Sequence, residues 1–170
     1  ADQHGRPTLL ALEGALAQRA ASTADKSYTK SLLVKGASKI GEKIRDALLE
    51  HLDREEMSLR CEMLLYMASR AQLCEQIIDP ALKRGDLVVA DRFVSSTYAY
   101  QGAAGGIPFS EIDAAARIAM RGVEPDATLI FDVDQETAAS RLNALLDRME
   151  AKGAAFHKRV REGYQSLIAG

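Results

Sequence analysis

Three short, almost continuously apolar runs constrain the architecture most: Thr8–Gly14 (TLLALEG), Leu87–Phe93 (LVVADRF) and Ala127–Asp134 (ATLIFDVD). Runs of this length without polar alternation read as strands covered on both faces, as in parallel sheets. Ser31–Lys35 (SLLVK) is a weaker fourth. Helical periods separate them. Ile40, Ile44, Leu48 and Leu52 form a stripe within 38–52. A long period over 57–84 is kinked or divided by Pro80. Phe109–Arg121 opens with Ser110 and Asp113, a capping-box-like start. Asp134 is placed to cap 135–151, and Phe156, Val160, Tyr164 and Leu167 share one side of 154–169. Strands alternating with helices imply a parallel sheet with right-handed crossovers and ligands at the carboxyl ends of strands. That rule points to Glu13, Asp91-Arg92 and Asp134.

With 170 residues, one domain over 1–170 is expected. The net charge of -2 disfavours a nucleic acid polymer as partner. No apolar run is long enough to span a membrane, and the start, Ala1–Pro7, is polar, so neither membrane nor leader is expected. Cys61 and Cys74 share one helical period, which holds them about 20 Å apart, too far for a disulfide. They read as free thiols in a reducing compartment, the cytoplasm. His4, His51 and His157 lie apart, without metal-ligand spacing.

The chemistry-bearing string is Asp91-Arg92-Phe93-Val94-Ser95-Ser96-Thr97-Tyr98-Ala99-Tyr100-Gln101-Gly102, which starts at a strand end and leads to a Gly-rich loop over 102–106. Arg92 offers a planar fork suited to phosphate, and Asp91 can hold that Arg or a hydrated Mg²⁺. As a bare dipeptide, Asp91-Arg92 reads first as an ion pair closing a strand. In the second stretch, 62–72, Tyr66 and Arg70 are four apart on one helix face, a ring to stack on a base and a donor for its carbonyl. As an isolated pair they read as a core ring and a solvated helix end.

The twelve-residue string closely resembles the DR(Y/F)xxSTxAYQG signature of thymidylate kinases. Residues 62–72 resemble that family's E-x-x-L-[LF]-x-A-x-R-A-x-H, with Gln72-Leu73 where Gln-His is usual. Pro125–Glu136 resembles its P-D-x-T-x-x-L-D-x-D-P-E strand, and 40–45 its G-E-x-I-R helix start, without the preceding Arg-Glu-Pro. Residues 147–150 with 156–164 resemble its lid and following helix. The resemblance implies an α/β fold of three layers, with a parallel sheet of about five strands flanked by helices, of the P-loop NTPase type. It implies phosphoryl transfer from ATP to dTMP with Mg²⁺, dTMP and ATP as partners, and a homodimer. By position, Arg92 contacts the dTMP phosphate, Tyr66 stacks on thymine and Arg70 reads its O4. Thr97 lies near the base, Tyr100 against the deoxyribose and Gln101 near base or sugar. Glu13 and Asp91 are expected to orient metal or acceptor, with Asp91 the Mg²⁺ candidate, and Arg148 is the lid residue. Arg159 and Arg161 read equally as a solvated helix face.

The resemblance fails at one place. The phosphate loop G-x-x-x-x-G-K-[ST] occurs nowhere; Glu13-Gly14 runs directly into Ala15-Leu16-Ala17-Gln18-Arg19-Ala20. The family's last strand and helix are likewise not found after Gly170. The expectation is that the loop is absent from this sequence rather than from the protein. A nucleotide-binding protein that transfers no phosphate, an engineered deletion, and a kinase of different base specificity remain alternatives. Continuity between Gly14 and Ala15 bears on the choice.

Overall fold

The computed structural model describes residues 8–13, 31–34, 38–49, 56–134, 137, 149 and 152–168. Gly14, Ala15 and Arg148 lie outside them. The four apolar runs form one all-parallel sheet: β1 (Thr8–Glu13), β2 (Ser31–Val34), β3 (Leu87–Asp91) and β4 (Ala127–Ile130), in the order β2-β3-β1-β4. Where about five strands were expected, four are present among the described residues. From β1 the chain passes over β3 to β2; from β3 it passes over β1 to β4. The connections leaving β1 and β3 therefore part to opposite sides, and ligands bind in sheets of this kind at the carboxyl ends beside such a switch. β1 ends on Glu13 and β3 on Asp91, which is in register with Leu12.

β3 is buried from Leu87 to Ala90, as a doubly covered strand should be. β4 departs from that expectation: it is only Ala127–Ile130, and Leu129 is 49% exposed. The pairing with β1 reaches Glu13 opposite Ile130, and among the described residues 131–134 have no neighbour in register. Asp134 accepts from the Thr137 N–H at 2.8 Å, the bond a helix N-cap makes.

Among the described residues there are six α-helical segments: α1 (Lys39–Leu49), α2 (Leu59–Leu73), α3 (Asp79–Lys83), α4 (Val94–Thr97), α5 (Phe109–Met120) and α6 (Ala154–Ile168). None is long and apolar enough to cross a membrane. Ser38 starts α1 by accepting from the Gly41 N–H at 2.9 Å. Leu48 is buried, but Ile40, expected on the same stripe, is 52% exposed. Its place in the first turn puts it beyond the neighbours that cover the middle of the helix. The long 57–84 period is divided into two α segments by a wide π turn, Cys74–Ile78, just before Pro80 in the first turn of α3; the backbone stays helical through Ile78 and Asp79. The start of α5 differs from the expectation. Its N-cap is Pro108, without a side-chain bond, because the Asp113 carboxylate instead accepts from the Tyr98 hydroxyl. That bond follows burial of the ring; burial and then Asp113 push the phenol up to about 12.

Of the loop expected over 102–106, residues 102–104 are helical and only Gly105 and Gly106 lie past the helix end. From α4 the helix continues as a π-helical segment, Tyr98–Ala104, which contains Gly102. A Cβ on Gly102 would lie 2.6 Å from Cε1 of Phe109, so this glycine serves close packing against α5. Gly163 does the same on α6, where a Cβ would come within 2.7 Å of the Ala103 Cβ and 3.1 Å of the Ala99 Cα. In an open helix, Gly→Ala stabilises by about 0.5–1 kcal/mol. Here the contacts are the Ala103 Cβ and the Ala99 backbone, neither of which can swing aside, and overpacking of about 1–3 kcal/mol outweighs that gain. Gly163→Ala is thus expected to lower stability in urea unfolding; increased stability would show that α6 does not close on 98–104.

Two apolar clusters result. One joins Ala11, Val88 and Ala90 of the sheet to Met63 and Met67 of α2, Ile78, Phe93, and Ile112 and Ala116 of α5. The other packs Ala99 and Ala104 against Phe156, Val160 and Tyr164 of α6. Of the stripe expected on 154–169, Phe156, Val160 and Tyr164 form the face so used, while Leu167 lies outside the cluster. Cys74 lies in the first cluster, where burial pushes its thiol up to about 11, while Cys61 is exposed.

Candidate active site

β3 delivers its last residues to the switch crevice. Asp91 ends the strand half-buried, and Arg92 turns into the left-handed region at φ 65°. That turn sends Phe93 inward, 2% exposed, and leaves Arg92 exposed. A left-handed non-glycine costs about 1–2 kcal/mol. Such strain persists where surrounding contacts impose it, and it concentrates at functional sites. The Arg92 guanidinium stands over the Tyr100 ring, 5.4 Å from its centroid. Tyr100 in turn leans on Phe156 and Tyr164 of α6, at centroid distances of 6.2 and 6.4 Å. Ser96 and Tyr164 share a 2.7 Å hydroxyl hydrogen bond that ties α4 to the same helix.

α2 brings the second stretch to the same place. Arg70, 8% exposed, donates from Nη2 to the Phe93 carbonyl oxygen at 2.9 Å and to Thr97 Oγ1 at 3.1 Å. Its Nη1 reaches Met67 Sδ at 3.0 Å, and the guanidinium lies 5.5 Å from the Phe93 ring centroid. These bonds occupy the fork from one side and fix its plane. Two sequence stretches 27 residues apart are thereby bonded through one guanidinium. Arg70 is therefore no solvated helix end. Tyr66, one turn earlier on the same face, is half-buried.

Thr97 and Gln101 are each 1% exposed, on the inner side of the α4–π segment. Gln101 Nε2 donates to Glu62 Oε1 at 2.7 Å. Glu62, also 1% exposed, receives the Lys152 ammonium on Oε1 at 3.1 Å and on Oε2 at 3.0 Å. Sequence reasoning gave Glu62 and Lys152 no role. The available signal was the four-residue spacing of Glu62, Tyr66 and Arg70, which puts all three on one helical face.

The other sequence candidates fall elsewhere. Glu13 ends β1 at the switch. Arg159 donates to the Ala104 carbonyl oxygen at 3.2 Å and tethers α6 to the π segment. Arg161 forms a two-bond pair with Asp132 at 2.6 and 2.7 Å, which holds that carboxyl below its ordinary range. Asp132 thus ties α6 to the segment after β4. Among the described residues no cluster of three His, Cys, Asp or Glu could hold a metal ion alone.

The site therefore combines an exposed Arg at a strand rim, an aromatic wall and a buried Arg–Thr brace. The family model described as thymidylate kinase matches residues 26–170. The chain belongs to the thymidylate kinase family. Thymidylate kinase of Caldanaerobacter subterraneus subsp. tengcongensis is 44% identical over 135 residues, covering 78% of this chain and 64% of that protein. Thymidylate kinase of Exiguobacterium sp. is 43% identical over 135 residues, covering 78% and 63%. That of Lactobacillus delbrueckii subsp. bulgaricus is 44% identical over 136 residues, covering 78% and 64%. The chain thus spans less than two thirds of the length of these relatives. The family match takes in every described site residue except Glu13, which precedes it with the rest of β1.

Proposed function

We propose that this chain is a thymidylate kinase module that holds dTMP for phosphoryl transfer from ATP, giving dTDP. The observation that carries this reading is the bond from buried Arg70 to Thr97, which joins the helix bearing Tyr66 to the strand-end segment bearing Arg92. In this reading Arg92 clamps the acceptor phosphate, its fork matched to phosphate oxygens. Tyr66 stacks on the base and Arg70 reads its carbonyl, with Thr97 bracing the guanidinium. Tyr100 faces the sugar and Gln101 the base or sugar. The three-layer P-loop NTPase arrangement and a homodimer belong to the same reading, as does Arg148 in the lid.

ATP and Mg²⁺ are the expected co-substrate and cofactor. Mg²⁺ takes one or two carboxylates plus phosphate oxygens, and Asp91 beside the end of β1 is a donor of that type. When bound, the ion offsets charge on the phosphates. The protein's own part is positioning and neutralisation, since phosphoryl transfer asks little covalent chemistry of it.

A second reading rests on the run Glu13-Gly14-Ala15-Leu16-Ala17-Gln18-Arg19-Ala20, which offers no glycine nest for donor phosphates: binding of dTMP without transfer. A third is the same transfer with another base. ADP formation from ATP across a panel of monophosphates tests all three. Turnover confined to dTMP supports the first reading. Calorimetric dTMP binding with no ADP formed supports the second, and turnover with another monophosphate the third. No binding and no turnover would reject them all.

A further inference from the structure

We infer that Glu62 is a positioning residue that fixes which end of the Gln101 amide faces the nucleotide. The inference rests on the reading that Gln101 lies near the base or sugar. An amide can turn either its carbonyl or its NH₂ toward a ligand, and the two look alike in shape. An ionised carboxylate only accepts. Facing Gln101 at 2.7 Å, Glu62 Oε1 can pair with Nε2 alone, so Oε1 of Gln101 is held on the opposite side. There, among the described residues, it has no hydrogen-bond partner. The choice of face does not depend on how the amide was assigned, because the reversed amide would set two acceptors against each other.

Burial makes this arrangement stiff. Glu62 and Gln101 are each 1% exposed, so water does not compete for the bond. A carboxylate stays ionised at such a place only with a compensating charge. Lys152 supplies it on both oxygens, from a side chain 22% exposed, with the ammonium also 4.8 Å from the Phe156 ring centroid. Phe156 contacts Tyr100, so the clasp also joins the wall of the site. Glu62 thus acts through Gln101 and touches no reacting atom. An outward carbonyl favours a base that presents a ring N–H over one that presents a bare ring nitrogen, thymine over cytosine.

Calorimetric Kd values for dTMP and dCMP, measured on the wild-type chain, Glu62→Gln and Glu62→Met, test this. Glu62→Gln keeps an oxygen that can accept from Nε2 but adds an NH₂ that can hold the amide reversed, and Glu62→Met can do neither. Expected is a rise of at least about tenfold in the dTMP Kd for Glu62→Met, with dCMP changed less than about threefold, and a smaller loss of discrimination for Glu62→Gln. Unaltered discrimination in Glu62→Met would overturn the role while leaving the substrate reading intact. Wild-type protein that binds neither nucleotide would instead overturn the substrate reading, and this role with it. The side-chain NH₂ signals of Gln101 in wild-type NMR spectra give a check that needs no variant to fold. Slow exchange with water is expected, and exchange at the rate of a solvent-exposed amide would overturn the clasp.

Discussion

Arg92→Ala is expected to lower turnover of dTMP with ATP by about 10²–10³-fold, the scale seen when one donor to developing charge is removed. The dTMP Kd should rise in parallel, because the same guanidinium holds the phosphate before and during transfer. Stability should respond less than turnover, because Arg92 is exposed and its stacking on the Tyr100 ring is worth about 0.5–1 kcal/mol. Its left-handed backbone is unfavourable for Ala as for Arg. Steady-state kinetics together with a thermal melt check the pair of outcomes. Wild-type turnover in a folded variant would remove Arg92 from the site.

Arg70→Ala should do the reverse and act first on the fold. The side chain is 8% exposed, and its loss leaves the Phe93 carbonyl oxygen and Thr97 Oγ1 without this donor, in a space a methyl group cannot fill. Leaving a buried acceptor unsatisfied costs about 1–3 kcal/mol, about 2–6 kcal/mol for two. For a domain of this size that is a fall in Tm of about 4–24 °C, at roughly 2–4 °C per kcal/mol. Arg70→Lys separates folding from recognition. It keeps the charge but cannot span Phe93 and Thr97 with one planar fork. Selection for thymine over other bases should therefore weaken in Arg70→Lys even where the melt recovers. Unchanged selectivity in that variant would limit Arg70 to a structural brace.

The sheet was legible because buried parallel strands leave an unmistakable trace. TLLALEG, SLLVK and LVVADRF each became a strand within two residues of the expected ends. The position of Asp91-Arg92 at a strand rim followed from that alone. Periodicity failed where tertiary contacts chose between local options. Gly102 lies in a segment that reads as a loop by composition, yet contact with Phe109 places it in a π-helical turn. Ser110 and Asp113 have capping spacing, but Asp113 is drawn to Tyr98, eleven residues before the start of α5. The described pairing of ATLIFDVD reaches Ile130, opposite Glu13, a bound its own residues do not contain. Glu62 was passed over for a related reason. A carboxylate on a helix reads as solvated unless the partners that bury it, here Gln101 and Lys152, 39 and 90 residues away, are known.

The most direct measurement is a crystal structure of the chain with dTMP bound. The account predicts the phosphate oxygens within about 3 Å of the Arg92 guanidinium, and the pyrimidine between Tyr66 and the Arg70–Thr97 brace. A nucleotide seated elsewhere, with Arg92 directed into bulk solvent and Tyr66 making no ring contact, would contradict it.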